Sequence, residues 1–171
     1  LTGELEAGIT NTKVPLGLAY LGAIIEEWGA EVRILDCLAD YDVMVEVEKG
    51  KFRVGTSEED IKKQIEEFRP DVVGVNCSYS MYEQDTFDVI KIIREIVPEC
   101  LVICGGAHSS ADPERVIGKG GVDVVIRGEA EYTVREIIDN YSKEKDRSSL
   151  NDIEGTIILD KNGIVKINPE R

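Results

Sequence analysis

Three features of the sequence predict a three-layer α/β fold, in which helices cover both faces of a parallel sheet and a β-hairpin follows. Short apolar runs rich in β-branched residues alternate with segments of helical periodicity. These runs contain few polar residues, which is typical of parallel strands buried on both faces. Glycines or serines follow several runs directly, and right-handed crossovers would place those loops on one edge of the sheet.

Composition excludes several classes of partner. The 171 residues are 32% charged and 42% hydrophobic, which indicates one soluble globular domain. A formal net charge of -14 repels phosphate backbones and anionic lipids, so neither nucleic acid nor membrane is an expected partner. We expect a cytoplasmic location because no apolar run is long enough to span a membrane and no signal peptide opens the sequence.

The cysteines are predicted to be reduced and mostly buried, because three of them lie inside or at the end of predicted strands. Cys100 and Cys104 are spaced like the start of a three-cysteine iron–sulfur loop, but Ala107 occupies the third position. The four are Cys37, Cys77, Cys100 and Cys104.

The first half of the chain predicts one helix, one strand and a hairpin. Residues 1–13 have weak periodicity and stay unassigned. A helix is predicted from Pro15 to a stop at Gly29, and a strand over Val32–Asp36. No Gly-x-Gly-x-x-Gly precedes Asp36, so this residue is interpreted as a turn residue rather than a ribose ligand. Residues 43–54 alternate around Lys49-Gly50, which predicts a small polar hairpin at the sheet edge.

The middle of the chain continues with helix and strand in turn. Thr56 and Glu59 have capping-box spacing, and a helix with an inward face of Ile61, Ile65 and Phe68 follows. Three further parallel strands are predicted, each a buried apolar run, with helices over residues 87–97, 113–117 and 132–141. The strands are Val72–Asn76, Leu101–Cys104 and Asp123–Arg127.

The end of the chain predicts a hairpin after a charged linker over residues 143–149. Apolar segments at 155–159 and 164–167 flank Asp160-Lys-Asn-Gly163, a strong hairpin pattern.

The loops at the carboxyl ends of these strands form the candidate ligand site, because ligands of open α/β sheets bind there. Gly105-Gly106 lets the backbone turn sharply and lets a ligand approach closely. His108, Ser109 and Ser110 are predicted as a polar loop ahead of a helix whose N-cap is Asp112. Small residues and few charges at this edge suit a large, mostly neutral ligand.

Several motifs occur in a fixed order, and together they resemble a known family. They are Pro-Leu-Gly-Leu-Ala-Tyr-Leu-Gly-Ala (15–23), Arg-Pro-Asp-Val-Val-Gly-Val (69–75), Gly-Gly-Ala-His (105–108), Val-Asp-Val-Val-Ile-Arg-Gly-Glu-Ala-Glu (122–131) and the closing Ile-Glu-Gly-Thr-Ile, Asn-Gly-Ile-Val and Asn-Pro (153–169). This set resembles the N-terminal cobalamin-binding domain of B12-dependent radical SAM enzymes. That class includes methyltransferases and anaerobic magnesium-protoporphyrin monomethyl ester cyclases.

The resemblance implies a flavodoxin-like (Rossmann-like) domain over residues 14–142 that holds cobalamin at the strand ends. It also implies that the segment 143–171 leads toward a radical SAM domain, which would hold the [4Fe-4S] cluster and S-adenosylmethionine. The residues expected at the cofactor are Pro15, Leu16, Gly17, Ser78, Tyr79, Ser80, Gly105, Gly106, Ala107, His108, Gly128 and Glu129.

The sequence departs from the family pattern in two ways. The Asp-x-His-x-x-Gly motif of cobalt-ligating B12 domains is missing, so base-off binding without a histidine ligand is implied, with His108 as a loop hydrogen-bonder. The family's first strand, which precedes Pro15, is not evident in residues 1–13. We therefore expect a domain that binds cofactor and does not catalyse alone.

Two other classes stay open on the residues alone. One is a small α/β enzyme or nucleotide-binding domain that uses the same strand-end loops. The other is a receiver-like interaction module without a ligand. Absorbance on titration with hydroxocobalamin separates both from a cobalamin-binding domain.

Overall fold

The computed structural model describes residues 14–39, 44–144, 146–160 and 162–171. The chain divides into two compact units, one reaching to Phe68 and the other running from Arg69 to Arg171. Within the described ranges, no helix is both long and apolar enough to cross a bilayer. Residues 1–13, which the sequence left unassigned, lie outside the described residues.

The first described element of this first unit is helix α1, Leu16–Glu27, as predicted. Gly22 is its buried residue, and a Cβ there would lie 3.0 Å from Cδ1 of Ile34. The segment that follows the helix therefore packs closely on α1 at this glycine.

The predicted strand over Val32–Asp36 is wrong, since these residues have no regular secondary structure. A strand is stabilised by hydrogen bonds to a neighbour, and this segment pairs with none of the described residues. Asp36 is a turn residue as predicted, because its Oδ1 accepts a 3.0 Å hydrogen bond from the Leu38 N–H.

The other described elements of the first unit are a hairpin and a second helix. Strands β1, Met44–Glu48, and β2, Lys51–Val54, pair antiparallel, which confirms the hairpin. Its predicted place at the edge of the larger sheet is wrong, because among the described residues these strands pair only with each other. Helix α2 spans Glu58–Phe68 and buries Ile61 and Ile65, as predicted.

The predicted cap of α2 is wrong by one residue. The hydroxyl of Ser57 accepts a 3.1 Å hydrogen bond from the Asp60 N–H, so Ser57 and not Thr56 caps the helix. Thr56 is buried, and its N–H donates to the carbonyl of Cys37 at 2.8 Å, which holds this residue in the preceding turn.

The second unit contains a mixed five-stranded sheet in the order β3-β4-β5-β6-β7. The first three strands are parallel, and β6 and β7 add antiparallel neighbours. The prediction of three parallel strands followed by a hairpin is confirmed, and the hairpin extends the sheet beyond β5. The strands are β3 Val72–Asn76, β4 Leu101–Gly105, β5 Val124–Ile126, β6 Thr156–Leu159 and β7 Val165–Ile167.

Strands β4 and β5 form the centre of the core. Residues 101–104 and 124–126 are all buried, so side chains on both faces of the sheet are covered. Strand β3 was predicted to be equally buried, but Gly74 and Asn76 are exposed. The reason is that β3 has one neighbour in the described sheet and lies at its edge.

Four helices and two 3-10 turns connect these strands. The helices are α3 Glu83–Ile96, α4 Ala107–Ala111, α5 Pro113–Gly118 and α6 Glu131–Glu144, and the turns are Ser80–Tyr82 and Arg147–Leu150. The prediction of a polar loop at His108–Ser110 is wrong, because these residues form α4 and His108 and Ser109 are buried. Asp112 precedes α5 as predicted, but its side chain makes no capping hydrogen bond.

At the amino end of β5, Asp123 anchors the segment that follows α6. Its carboxylate accepts hydrogen bonds from Arg94 at 2.6 Å and from Arg147 at 2.9 Å. Arg147 lies in the charged stretch that the sequence predicts as a linker. Its ion pair with Asp123 holds this stretch at the amino end of β5.

Candidate functional site at the carboxyl ends of the strands

The loops after β3 and β4 are joined by backbone hydrogen bonds. Asn76 and Gly105 are partners in the parallel register, and the Cys77 N–H donates to the carbonyl of Gly105 at 2.7 Å. The carbonyl of Cys77 in turn accepts from the N–H groups of His108 and Ser109 at 3.1 and 3.3 Å. Each loop therefore fixes the position of the other.

Gly106 must be glycine for a structural reason. Its φ of 111° lies in the region that favours glycine, and a Cβ would sit 2.5 Å from Asn76 Oδ1 and 2.8 Å from the Cys77 carbonyl oxygen. The sequence predicted a glycine pair that leaves room for a ligand. At Gly106 the room is filled by the loop after β3.

Gly105 has a different environment. Apart from Gly105 itself and its two chain neighbours, no described residue has an atom within 4 Å of the position that a Cβ would take. This open position ends strand β4 at the edge where ligands of such sheets bind. Gly105 is thus the member of the pair that leaves space for a ligand.

Ser110 connects the loop after β5 to the same edge. Its hydroxyl accepts a 3.2 Å hydrogen bond from the N–H of Gly128. Gly128 is exposed, and a Cβ there would likewise meet no described atom within 4 Å. Glu129 beside it is exposed as well. The open positions at Gly105 and Gly128 therefore belong to loops that are directly linked.

The serine loop after β3 supplies hydroxyl groups and aromatic surface. Ser78 donates to Asn76 Oδ1 at 2.9 Å, and Ser80 Oγ lies 3.1 Å from Nδ1 of His108. Tyr79 is 64% exposed and packs edge-on against Tyr82, with ring centroids 6.1 Å apart. Exposed aromatic rings beside polar loops can cover an apolar ligand face.

A buried carboxylate lies behind the serine loop. Glu83 opens α3 and accepts two 2.9 Å hydrogen bonds from Arg115 and one contact of 3.1 Å from Lys119. The hydrogen bonds from Arg115 lower the pKa of Glu83 to about 2, so this carboxylate stays ionised at neutral pH. His108 Nε2 lies 3.7 Å from Glu83 Oε1 and finds no hydrogen-bond partner in the described part of the chain.

The thiols near this edge are buried, as predicted. Cys77 and Cys104 are almost fully buried, and all four cysteines are free. Burial raises the pKa of Cys104 to about 11, which leaves it protonated and unreactive at neutral pH.

Most of the predicted site residues meet at this edge. Ser78, Ser80, Gly105, Gly106, His108 and Gly128 take part in the linked loops described above, and Ala107 opens α4 with its side chain exposed. Pro15, Leu16 and Gly17 begin helix α1 in the first unit, where Leu16 is 76% exposed. The role of these three at a cofactor stays a prediction, as does that of every other predicted site residue.

Three residues of this edge are absent from those expected at the cofactor, although the sequence places Ser110 in the loop after the glycine pair. Asn76 and Ser110 are polar residues at or near strand ends, so their positions alone could have indicated them. Glu83 could not be found in this way, because its partners Arg115 and Lys119 are distant in sequence and nothing local indicates the pair.

Parallel strands, backbone-lined openings and neutral hydroxyl groups define a ligand-binding domain of the flavodoxin-like class. A sequence model of the B12 binding domain family matches residues 7–138. The chain belongs to this B12-binding domain family, as the ordered motifs predicted.

Two relatives illustrate its similarities. The chain is 33% identical to the cytidylyl-2-hydroxyethylphosphonate methyltransferase of Streptomyces wedmorensis, over 91% of this chain and 29% of that protein. It is 25% identical to the anaerobic magnesium-protoporphyrin IX monomethyl ester cyclase of Cereibacter sphaeroides, over 93% of this chain and 24% of that protein. The chain thus spans less than a third of the length of these relatives.

Solved structures share the fold. The cobalamin-dependent S-adenosylmethionine radical enzyme OxsB with aqua-cobalamin bound superposes with a TM-score of 0.74 at 21% identity, over 94% of this chain and 20% of OxsB. The radical S-adenosylmethionine methyltransferase TsrM from Kitasatospora setae, with cobalamin and a [4Fe-4S] cluster bound, gives 0.69 at 22% identity, over 92% of this chain and 26% of TsrM. The flavodoxin-like fold predicted from the sequence is confirmed.

Proposed function

We propose that this domain binds cobalamin at the carboxyl ends of β3, β4 and β5 as the cofactor-binding part of a radical SAM enzyme. The observation that carries the proposal is the open backbone position at Gly105, in a chain whose family is that of B12-binding domains. A cofactor large enough to span several strand ends needs backbone that it can approach without meeting side chains.

The residues at this edge fit the nucleotide tail and the amide-rich rim of cobalamin. Gly105 and Gly128 provide the open backbone, while Ser78 and Ser80 provide hydroxyl groups in the loop after β3. Amide side chains of the cofactor would find neutral acceptors and donors at Ser78 and Ser80. When bound, cobalamin supplies the cobalt chemistry, and the protein orients it.

Binding in the base-off form without a histidine ligand is part of the proposal. His108 is 9% exposed, and its two ring nitrogens face Ser80 and Glu83. An imidazole held between protein groups in this way suits a hydrogen-bonding role better than a cobalt ligand.

The remainder of the proposal concerns the whole protein. The relatives include a methyltransferase and a cyclase, and each is more than three times the length of the region matched by this chain. We infer that a radical SAM domain with its cluster and S-adenosylmethionine completes the enzyme, and that this domain alone is not catalytic. The four free thiols support a reducing compartment such as the cytoplasm.

Titration with hydroxocobalamin tests the binding step. We expect saturable binding and an absorbance spectrum of the base-off type, because no ring nitrogen replaces the released base. A flat titration would overturn the proposal. A spectrum showing histidine nitrogen bound to cobalt would overturn the assignment of His108.

A further inference from the structure

We propose that His108 is a positioning residue that holds the serine loop in the conformation that binds cobalamin, through one specific hydrogen bond from Ser80. The inference rests on the proposed function and deepens it. It assigns a task to the chain's single histidine, which is buried beside the candidate site without contributing an exposed surface.

The contact joins the turn after β3 to helix α4. Ser80 is exposed and opens the 3-10 turn after β3, whereas His108 lies in α4 after the glycine pair. Their atoms Oγ and Nδ1 are 3.1 Å apart, which is hydrogen-bond distance. Because Ser80 belongs to an exposed turn, this bond is a direct restraint on where its hydroxyl and the neighbouring Tyr79 lie.

The charged groups around the ring determine which nitrogen carries the proton. Nε2 faces the Glu83 carboxylate at 3.7 Å, and Arg115 and Lys119 hold that carboxylate ionised. A negative charge on the Nε2 side favours the hydrogen on Nε2 and leaves the lone pair on Nδ1. Nδ1 then accepts, and Ser80 donates its O–H to the ring.

This assignment has a consequence for ligand recognition. A Ser80 hydroxyl that donates to His108 presents its oxygen lone pairs outward, so it offers an acceptor to the ligand. Such a group selects for N–H donors, the chemistry of cobalamin's peripheral amides, over a phosphate oxygen. The ion-paired Glu83 therefore influences ligand recognition by Ser80 through the tautomer of His108, without touching the ligand.

Matched variants distinguish the effect of this hydrogen bond on cobalamin affinity from the effect of side-chain packing. The Oδ1 of asparagine lies as many bonds from Cβ as Nδ1 does, so His108→Asn can still accept from Ser80. The side-chain amide of His108→Gln lies as many bonds from Cβ as Nε2 does, so it cannot accept the hydrogen bond from Ser80. We expect hydroxocobalamin affinity close to the parent's for His108→Asn, and about 3- to 10-fold weaker for His108→Gln, His108→Ala and Ser80→Ala. The double variant Ser80→Ala/His108→Ala should be no weaker than either single variant.

A second measurement is independent of cofactor. With 15N-histidine, His108 gives the chain's only ring signals, and we expect the Nε2–H tautomer with an Nδ1 shift that changes in Ser80→Ala. Thermal melts identify any variant that fails to fold, and such a variant is excluded from the affinity comparison. An Nδ1–H tautomer, or a His108→Asn variant that folds and binds as weakly as His108→Ala, would overturn the inference. If the parent chain binds no hydroxocobalamin but shows the expected tautomer and its Ser80 dependence, the proposed function fails while the contact stands.

Discussion

A Cβ on Gly106 would collide with the loop after β3, whereas a Cβ on the adjacent Gly105 would meet no atom of the described residues within 4 Å. Glycine therefore occupies the two positions for different reasons. Gly106 is required by a positive φ and by close approach to Asn76 and Cys77. Gly105 keeps space open at the end of β4.

This difference predicts that alanine lowers stability at Gly106 but not at Gly105. Gly106→Ala should lower the free energy of unfolding by about 1–3 kcal/mol, because it combines a disfavoured φ with three contacts below 3.0 Å. Gly105→Ala should leave stability within about 0.5 kcal/mol, because its Cβ enters open space. Urea unfolding of the two variants beside the parent measures this. Equal stability of both variants would show that the backbone at Gly106 is not constrained as described.

The sequence predicts the turn at the glycine pair. It does not predict which glycine approaches the loop after β3 and which leaves open space. Two adjacent glycines after an apolar run predict a sharp turn. Their φ values, and which of them faces Asn76, depend on the neighbouring strand. Residues 101–114 contain no pattern that identifies this neighbouring strand.

Helices α3 and α5 are joined by an ion pair whose carboxylate is mostly shielded from solvent, whereas the Arg115 side chain is 56% exposed. Glu83 has a side chain only 9% exposed and is held by Arg115 and Lys119, and Lys119 also lies 4.8 Å from the ring centre of Phe87. This contact fixes α5, and with it the short α4 that carries His108. Removing the carboxylate would leave two cations without their partner.

The pH dependence of stability tests this contact. The pKa of Glu83 is lowered from 4.5 to about 2, so its stabilising effect is present above pH 4.5 and is lost as the pH falls through about 2. Glu83→Gln should therefore be less stable than the parent at pH 7, and the difference should shrink between pH 4.5 and 2. Urea unfolding across this range measures it, with the exposed Glu114→Gln as a control for the loss of one negative charge. A difference between parent and Glu83→Gln that does not vary with pH would contradict this account.

At the element scale, sequence patterns located helices and strands well where local signals were strong. The hairpin at Asp160–Gly163 follows from its turn residues, and Asp160 Oδ1 accepts from the N–H groups of Asn162 and Ile164 at 2.8 Å. Helix α4 was missed because its five residues lack helical periodicity. Its first turn is held by the carbonyl of Cys77, from another loop.

For the whole molecule, alternating runs were sufficient to predict the parallel sheet and its hairpin. Residues 101–104 and 124–126 are buried on both faces, as continuous apolar runs indicate. The failure at Val32–Asp36 has a physical cause, since an apolar run becomes a strand only when a partner completes its hydrogen bonds. The strand-end site followed from topology, because parallel strands bring their carboxyl ends to one edge.

The most direct test of the central claim is the cobalamin affinity of Gly105→Val against that of Gly118→Val. Both glycines have open space around them, but Gly118 ends α5 at an exposed position outside the proposed site. With folding checked by thermal melts, we expect Gly105→Val to weaken hydroxocobalamin binding at least about tenfold, a loss of about 1.4 kcal/mol, and Gly118→Val to bind like the parent. Parent-like binding by a folded Gly105→Val would contradict the claim that cobalamin lies against the end of β4.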